Sequence, residues 1–427
     1  MSAYYGEYRG QNMKIAFFVW EFPPKIVGGL GTYALEITQQ FIKRGHEVTV
    51  FTLNDPSGKL LTRDIWRGVE VYRPTPIDFS GLFPTFVDTE LREWGLGLRF
   101  FSDVITYNVF SAAKLCSHLV KKERREFDIL SAHDWLSVLG GISSKRHLDL
   151  PLIFHVHSTE RGRALGGGSC TVENFEAKGA EVSDGIITVS KVMREELISV
   201  GFPVHKINVI WNGVDPENKY NPKNIPEESI LTIRERYGIQ DDEFMIFYVG
   251  RLIAVKGVDC LIRAMPQVLA DVPNAKLVIV GMGNLYQYLE DTVSQLNLQD
   301  KVIFRNEFIS EEERILSIAA SDVCVFPSHY EPFGIVSLEA MAMKKPVVVG
   351  AMGTSGFKEQ VIEAGTDQCG YLIDPNDPND IANAVTTILQ DPDRAKKMGE
   401  NARKRVLAEF TWDHVAENTI SVYERFL

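Results

Sequence analysis

No apolar run in this 427-residue chain approaches the roughly 18–20 residues that cross a bilayer, so no membrane-spanning helix is expected. Basic residues are outnumbered, 45 Lys and Arg against 57 Asp and Glu, for a net charge of −12. That balance argues against a nucleic-acid or anionic-membrane partner. Cysteine is sparse. The five residues Cys116, Cys170, Cys260, Cys324 and Cys369 are scattered, odd in number and without a Cys-x-x-Cys pair. They read as buried thiols in a reducing compartment, so a cytoplasmic location is expected. Residues 1–12 are polar and tyrosine-rich and lack an apolar core. They read as a disordered leader, not a secretory signal. There is no internal repeat.

What is present is a hydrophobic content of 45%, enough for a globular protein of two domains. Strand-like apolar runs alternate with helix-length segments. In the first half they are Lys14–Trp20, Glu47–Thr52, Val69–Arg73, Asp128–His133, Pro151–His157, Gly185–Ser190 and Ile207–Asn212. In the second they are Phe244–Gly250, Lys276–Gly281, Val302–Arg305, Val323–Ser328 and Pro346–Gly350. Near-continuous apolar strands between helices predict parallel sheets covered on both faces. The fold class is α/β, two Rossmann-like doubly wound domains facing each other across a cleft. Their junction is placed at the polar stretch Asn221–Pro226, which reads as a linker. The domains expected are 13–222 and 223–410, with 411–427 a helix that crosses back to the first.

In such sheets ligands bind at the carboxyl ends of strands, and the chemistry-bearing residues cluster there. After Val323–Ser328 comes Glu331-Pro-Phe333-Gly334-Ile-Val-Ser-Leu-Glu339. This reads as strand, tight loop and a helix from about Gly334, its positive end facing a ligand. Glu331 sits in the loop. Glu339 lies about two turns along an otherwise apolar helix, where an unpaired acid is costly and a bland surface role is disfavoured. After Phe244–Gly250 stand Arg251 and Lys256, beside Gly250 and Gly257. A guanidinium fork and a point charge so spaced suit a diphosphate, although two solvated loop cations would look the same.

After Lys14–Trp20 comes a prolyl loop and then Gly28-Gly29-Leu30-Gly31 opening a helix. Adjacent glycines there would offer free N–H groups to a phosphate. The loose dinucleotide fingerprint Gly29-Leu-Gly31-Thr-Tyr-Ala34 is weak, because the glycines should follow the strand at once. The same caution covers Gly281-Met-Gly283. His133-Asp134-Trp135 and His155-Val-His157 end two strands. Three histidines and an aspartate could suggest a metal. The two on one strand alternate and no second cluster supplies hard ligands, so no metal is expected. Asp391-Pro-Asp393 has the form of a metal-binding DxD, yet it precedes a helix and reads as its cap. The Asp374–Asp380 stretch reads likewise as a turn capping the next helix.

Together these residues resemble the retaining GT-B glycosyltransferases of families 4 and 5, the glycogen and starch synthase group. The resemblance covers about residues 13–427. It rests on Pro23-Pro-Lys-Ile-Val-Gly-Gly-Leu30, His133-Asp-Trp135, His157, Val189-Ser190, Trp211-Asn-Gly-Val-Asp215, Gly250-Arg-Leu with Lys256-Gly257, Pro327-Ser-His-Tyr-Glu-Pro-Phe-Gly334 and Glu339. It implies that Arg251 and Lys256 bind the diphosphate of a nucleotide sugar and stabilise its leaving charge. Glu331 would contact the donor sugar, with the N–H groups of Phe333 and Gly334 close by. Glu339 would bind the ribose hydroxyls. Gly28 and Gly29 would approach from the other domain, His157 would lie beside the anomeric carbon, and Asp134 would contact substrate hydroxyls. Asn212 and Asp215 sit near the hinge, where a structural role is as good a reading as a functional one. No cofactor or metal is implied; the phosphate cations would do a metal's electrostatic work.

Two departures from the synthase pattern touch the substrates. The synthases have one residue between Lys and Gly-Gly-Leu, whereas here Ile26 and Val27 separate Lys25 from Gly28. Gly353-Thr-Ser-Gly356 stands where they carry Thr-Gly-Gly-Leu. The expected activity is transfer of glucose from ADP- or UDP-glucose to the non-reducing end of an α-1,4-glucan. The alternative is a family 4 hexosyltransferase acting on a small or lipid-linked acceptor. A phosphorylase is disfavoured by length and by the lack of a pyridoxal-phosphate lysine motif. A glycan-binding protein that kept only the fold would have no need of Arg251, Lys256 and Glu339 together. The partners implied are a nucleotide sugar and a glucan or other sugar acceptor.

Overall fold

The apolar runs become strands because their side chains are buried on both sides. β1 (Lys14–Phe18), β2 (Glu47–Phe51), β3 (Arg63–Trp66), β4 (Val69–Tyr72), β5 (Ile129–His133), β6 (Leu152–Val156), β7 (Gly185–Thr188) and β8 (Ile207–Val209) form one sheet, in the order β3-β4-β2-β1-β5-β6-β7-β8. A second sheet holds β9 (Phe244–Val249), β10 (Ala275–Val280), β11 (Val302–Arg305), β12 (Val323–Phe326), β13 (Val347–Gly350) and β14 (Gly370–Ile373), in the order β11-β10-β9-β12-β13-β14. This computed structural model describes residues 12–55, 59–85, 94 and 97–427. All but residue 12 of the expected leader lies outside them.

Every expected run forms a strand, and the doubly wound parallel architecture holds in both sheets. Two strands escape the apolar pattern. β3 alternates in exposure and pairs antiparallel with β4 at the sheet edge. Its connection is Arg67-Gly68, with φ of 47° and 87°, the left-handed pair that a tight hairpin needs. β14 is a short edge strand that runs parallel to β13. The expected runs end one to three residues early in several places, where the chain leaves the ladder for the loops that carry the chemistry.

Helices cover both faces. Gly29–Lys43 buries Tyr33, Ile37 and Phe41 against β1 and its neighbours. Caps follow the sequence expectation. Asp377 accepts from Asn379 N–H, and Asp391 accepts from Arg394 N–H at 3.0 Å. The Asp391-Pro-Asp393 motif is therefore a helix start. The Asn221–Pro226 stretch holds a short 3₁₀ turn, Pro222–Asn224, before the helix Glu227–Arg236.

The chain returns to the first sheet at its end. Val214 N–H donates to Phe410 O at 3.0 Å, and Val214 bridges Thr411. A Cβ at Gly213 would lie 2.6 Å from the carbonyl carbon of Thr411, so no side chain fits there. The outgoing and returning segments thus touch at one point. Beyond it the helix Trp412–Glu424 buries Trp412, Val415, Ile420 and Tyr423 in one apolar cluster with Ile15, Phe17, Ile37 and Phe41. Arg44 pairs with Asp413 at 2.9 Å on the outside.

Candidate active site

In both sheets the strand order reverses beside a central strand, between β1 and β5 in the first and between β9 and β12 in the second. Loops leaving such neighbours diverge to opposite faces and open a crevice, the usual ligand position in this architecture. Gly28-Gly29 follows β1, and Asp134 follows β5. Arg251 and Lys256 follow β9, and Glu331–Gly334 follows β12.

The crevice of the second sheet is built around a cation. Lys256 ends a 3₁₀ turn, Ala254–Lys256, and its Nζ lies 2.5 Å from Glu331 Oε2. The pair is only partly exposed, 18% and 12% at the side chains, so it is shielded from bulk screening. Arg251 is exposed and has no carboxylate partner among the described residues. Glu331 is fixed through its main chain, donating to Thr354 O at 3.0 Å and accepting from Gly356 N–H at 2.8 Å. Pro332 and buried Phe333 lead to Gly334, which caps the helix Ile335–Ala342 with φ 87°. A Cβ on Gly334 would lie 2.2 Å from the Phe357 ring. The helix therefore begins one residue later than expected, and Pro332 stands outside its first turn.

Glu339 is 4% exposed. Its Oε1 accepts from Tyr220 O–H at 2.7 Å and from Arg314 Nη2 at 3.0 Å, while Oε2 lies 3.0 Å from Arg314 Nε. Burial pushes its carboxyl up, and the Arg314 cation pulls it back. Sequence reasoning missed Arg314 and Tyr220, since nothing in a single chain ties either to a glutamate so distant. The two glutamates share no partner: one answers Lys256 and the other Arg314.

In the first unit the Gly28-Gly29 expectation needs a correction. The Gly28 N–H is not free, because it donates to Glu21 Oε2 at 3.1 Å, as does Val27 N–H at 2.9 Å. A carboxylate of the chain itself occupies the anion seat at that helix start. Gly29 stands clear of it, and a Cβ there would meet only Ile335 Cδ1, at 3.9 Å. The glycine loop thus faces the start of the Ile335–Ala342 helix across the cleft.

Asp134 is 6% exposed, with φ 56°, and caps the helix Trp135–Leu148. Its Oδ1 accepts the His157 backbone N–H at 2.7 Å, and its own N–H donates to His155 O at 2.8 Å. The loop carrying His157 is thereby tied to the end of β5. His157 stacks edge-on against Tyr33, with ring centroids 4.6 Å apart, and its Nε2 lies 3.1 Å from His133 Nδ1. Burial lowers the pKa of His157 and holds those of His133 and His155 well below the ordinary value. Burial thus favours the neutral form of all three.

Side chains stitch the two crevices together. Tyr330, next to Glu331, receives a hydrogen bond from Thr159 N–H at 3.1 Å and lies 3.2 Å from Glu196 Oε1. Ser190 donates to Pro332 O at 2.6 Å. Glu359 accepts from Val192 N–H at 3.0 Å and from Trp211 Nε1 at 2.7 Å. An open hollow of about 470 Å³ flanks this seam, lined by Leu165 from the first unit and by Ala254, Tyr288, His329 and Met352 from the second. Asn212 Oδ1 is buried without a partner among the described residues, whereas Asp215 accepts from Glu217 and Asn218 in a local turn.

The sequence reading expected no second cluster of hard ligands, and the one further group of metal-type side chains among the described residues holds a single carboxylate, Asp259. Among the described residues, two groups bring ligand atoms within 4.8 Å: His133, His155 and His157, and separately Asp259, Cys260 and His329. In the first group both nitrogens of His133 and of His155 are already in hydrogen bonds, so a metal would have to displace them. In the second, burial pushes the Cys260 thiol up to about 11, so a metal there would have to displace its proton.

Residues 27–218 match the family described as Glycosyltransferase Family 4, and residues 229–405 match Glycosyl transferases group 1. An uncharacterized glycosyltransferase of Methanocaldococcus jannaschii is 36% identical over 416 residues, covering 96% of this chain and 98% of its own length. A glycogen synthase of Mycobacterium tuberculosis is 30% identical over 429 residues, covering 96% and 94%. Among solved structures, the sucrose-phosphate synthase of Thermosynechococcus elongatus superposes with a TM-score of 0.76 at 24% identity, over 97% of this chain and 99% of that one. The catalytic domain of starch synthase IV from Arabidopsis thaliana, bound to ADP and acarbose, gives 0.74 at 18% identity over 97% and 99%.

Proposed function

From the premise that this chain belongs to the GT-B glycosyltransferases of families 4 and 5, we propose that it moves glucose from ADP- or UDP-glucose to the non-reducing end of an α-1,4-glucan, with retention and without a metal. The observation that carries this reading is the crevice between β9 and β12. There Arg251, without a carboxylate partner among the described residues, shares the loop after β9 with Lys256, which pairs with Glu331, and Gly29 and the His157 loop reach the segment after β12 from the first unit. In this reading Arg251 grips the diphosphate as a fork. Lys256, held in place by Glu331, meets the negative charge that grows on the departing phosphate. A preorganised cation in a partly desolvated crevice stabilises that charge more in the transition state than in the ground state. Glu331 and the Phe333 and Gly334 N–H groups contact the sugar, and Asp134 and His157 meet it from the first unit. Glu339 offers the ribose the acceptor capacity that Tyr220 and Arg314 leave on Oε2. The ADP and acarbose carried by the starch synthase structure support the choice of donor and acceptor class.

A second reading, a small or lipid-linked acceptor, is favoured by the longer Lys25–Gly28 spacing. It is also favoured by relatives such as the D-inositol 3-phosphate glycosyltransferase of Kineococcus radiotolerans, 29% identical over 93% of this chain. A donor screen separates the two: ADP-, UDP- and GDP-glucose, each with and without glycogen, reading nucleotide release, product and anomeric configuration. Chain extension with an α product supports the glucan reading. Release of nucleoside diphosphate that ignores glycogen sinks that reading and leaves the second. Retained activity only on adding Mg²⁺ or Mn²⁺ contradicts the metal-free assignment.

A further inference from the structure

A run of buried hydrogen bonds leads from the returning C-terminal helix to His157. Tyr423 O–H donates to Ser131 Oγ at 2.8 Å. Ser131 Oγ lies 2.9 Å from His133 Nε2, and His133 Nδ1 lies 3.1 Å from His157 Nε2. Behind Tyr423, His155 Nε2 is 2.8 Å from the phenol oxygen, and His155 Nδ1 is 3.4 Å from Tyr33 O–H. Ser131, His133, His155 and Tyr423 are all at most 1% exposed, so their polar atoms are withdrawn from bulk solvent.

The directions follow from one donor and a count of protons. Tyr423 has one proton, and it goes to Ser131. The Tyr423 oxygen must then accept from His155 Nε2–H, which leaves His155 Nδ1 to accept from Tyr33. Ser131 also has one proton, and its remaining contact is His133 Nε2. That nitrogen accepts, so the His133 proton sits on Nδ1 and is given to His157 Nε2. A neutral imidazole whose Nε2 accepts carries its hydrogen on Nδ1. Each buried donor thus finds one acceptor, and reversing any single bond alone would orphan a proton, at the cost such buried groups carry. Reversing the whole run would keep the count, and the Tyr423–Ser131 donation selects between the two.

We infer that Tyr423 is a positioning residue that, through Ser131 and His133, fixes His157 as the Nδ1–H tautomer. His157 then offers the cleft a hydrogen-bond donor and no lone pair, since its only one is held by His133. It can hold an oxygen of a bound sugar or phosphate but cannot serve as a general base. The identity of that oxygen rests on the proposed function, whereas the tautomer does not. The device also ties the site to the helix that returns from the second unit: the group that sets the tautomer lies on Trp412–Glu424, far along the chain from the histidine it sets.

The test is nitrogen NMR on the full chain labelled with ¹⁵N-histidine, with the His157 signals identified by their loss in His157→Gln. The wild type should show His157 protonated at Nδ1 and bare at Nε2. In Tyr423→Phe and in Ser131→Ala the ratio of the two tautomers should fall about fivefold or more, the share expected for one hydrogen bond near 1 kcal/mol. Ser131→Ala removes little volume and guards against a Tyr423 variant that fails to fold. A wild-type His157 protonated at Nε2, or folded variants with an unchanged ratio, would overturn the inference. Neither outcome depends on finding the substrate, so a failed donor screen with the expected spectra rejects the function and leaves the tautomer standing.

Discussion

On the proposed reading, Lys256 is the residue on which the chemistry turns. Lys256→Ala should lower kcat by roughly 10²–10³, about 3–4 kcal/mol of transition-state stabilisation, and weaken donor binding far less. Arg251→Lys should also be damaging, because a point charge cannot replace a fork. An effect confined to KM in steady-state kinetics would mean uniform binding in place of catalysis. The glutamates should part company. Glu339→Gln should weaken binding of the free nucleoside diphosphate, because an amide accepts fewer hydrogen bonds than a carboxylate and disturbs Arg314 and Tyr220 as well. Glu331→Gln should leave that binding nearly intact and depress transfer. Equal losses by calorimetry would contradict the two roles. Glu176 carries a pH signature. Burial pushes its carboxyl up to about 8, against the pull of Arg163. Between the ordinary carboxyl range and about pH 8 the folded protein keeps a proton that the unfolded chain has lost. Stability therefore falls as pH rises through that window. Glu176→Gln should flatten this fall, with a gain over wild type at about pH 8.5 that is on the order of 1–3 kcal/mol larger than at about pH 5.5. Parallel melting curves against pH would refute it.

At the scale of elements, the sequence is most readable where one physical signal dominates. Buried parallel strands declare themselves as apolar runs, and Asp377 and Asp391 as caps. β3 is hidden because a half-exposed edge strand carries no such run, and only the Arg67-Gly68 turn marks it. The site is legible to the same extent. Arg251, Lys256, Glu331 and Glu339 were visible because they follow strands. Arg314, Tyr220, Tyr330 and Tyr423 were not, since each matters through a partner far away in the chain. Gly28 shows the opposite failure: the pattern for an anion seat is present, but Glu21, a few residues upstream, fills it. The helix Trp412–Glu424 makes a prediction of its own. It packs with Ile15, Phe17 and Phe41, so truncation after Phe410 should raise hydrogen exchange in the first sheet as well as near the cut. Loosening confined to the second sheet would contradict that packing.

For the whole molecule, the proposed site is divided between the two sheets. The cations and the glutamates belong to the second, and Asp134, His157 and the glycine loop to the first. The outgoing and returning segments touch at Gly213–Val214 and Phe410–Thr411, upstream of the Asn221–Pro226 stretch read as the linker. Tyr330, Ser190 and Glu359 then define what must slide or break if the cleft opens to release product. No helix among the described residues is long and apolar enough to cross a membrane. The central claim, that a metal-free crevice after β9 and β12 holds a nucleoside diphosphate, is tested most directly by titration calorimetry. ADP, UDP and GDP are titrated in excess EDTA into the wild type and into an Arg251→Ala, Lys256→Ala double variant. At least one nucleotide should bind the wild type at one site per chain and lose at least about tenfold in affinity in the variant, the share of one charge-assisted contact. Equal binding to both proteins, or binding that appears only when Mg²⁺ is restored, would contradict the account.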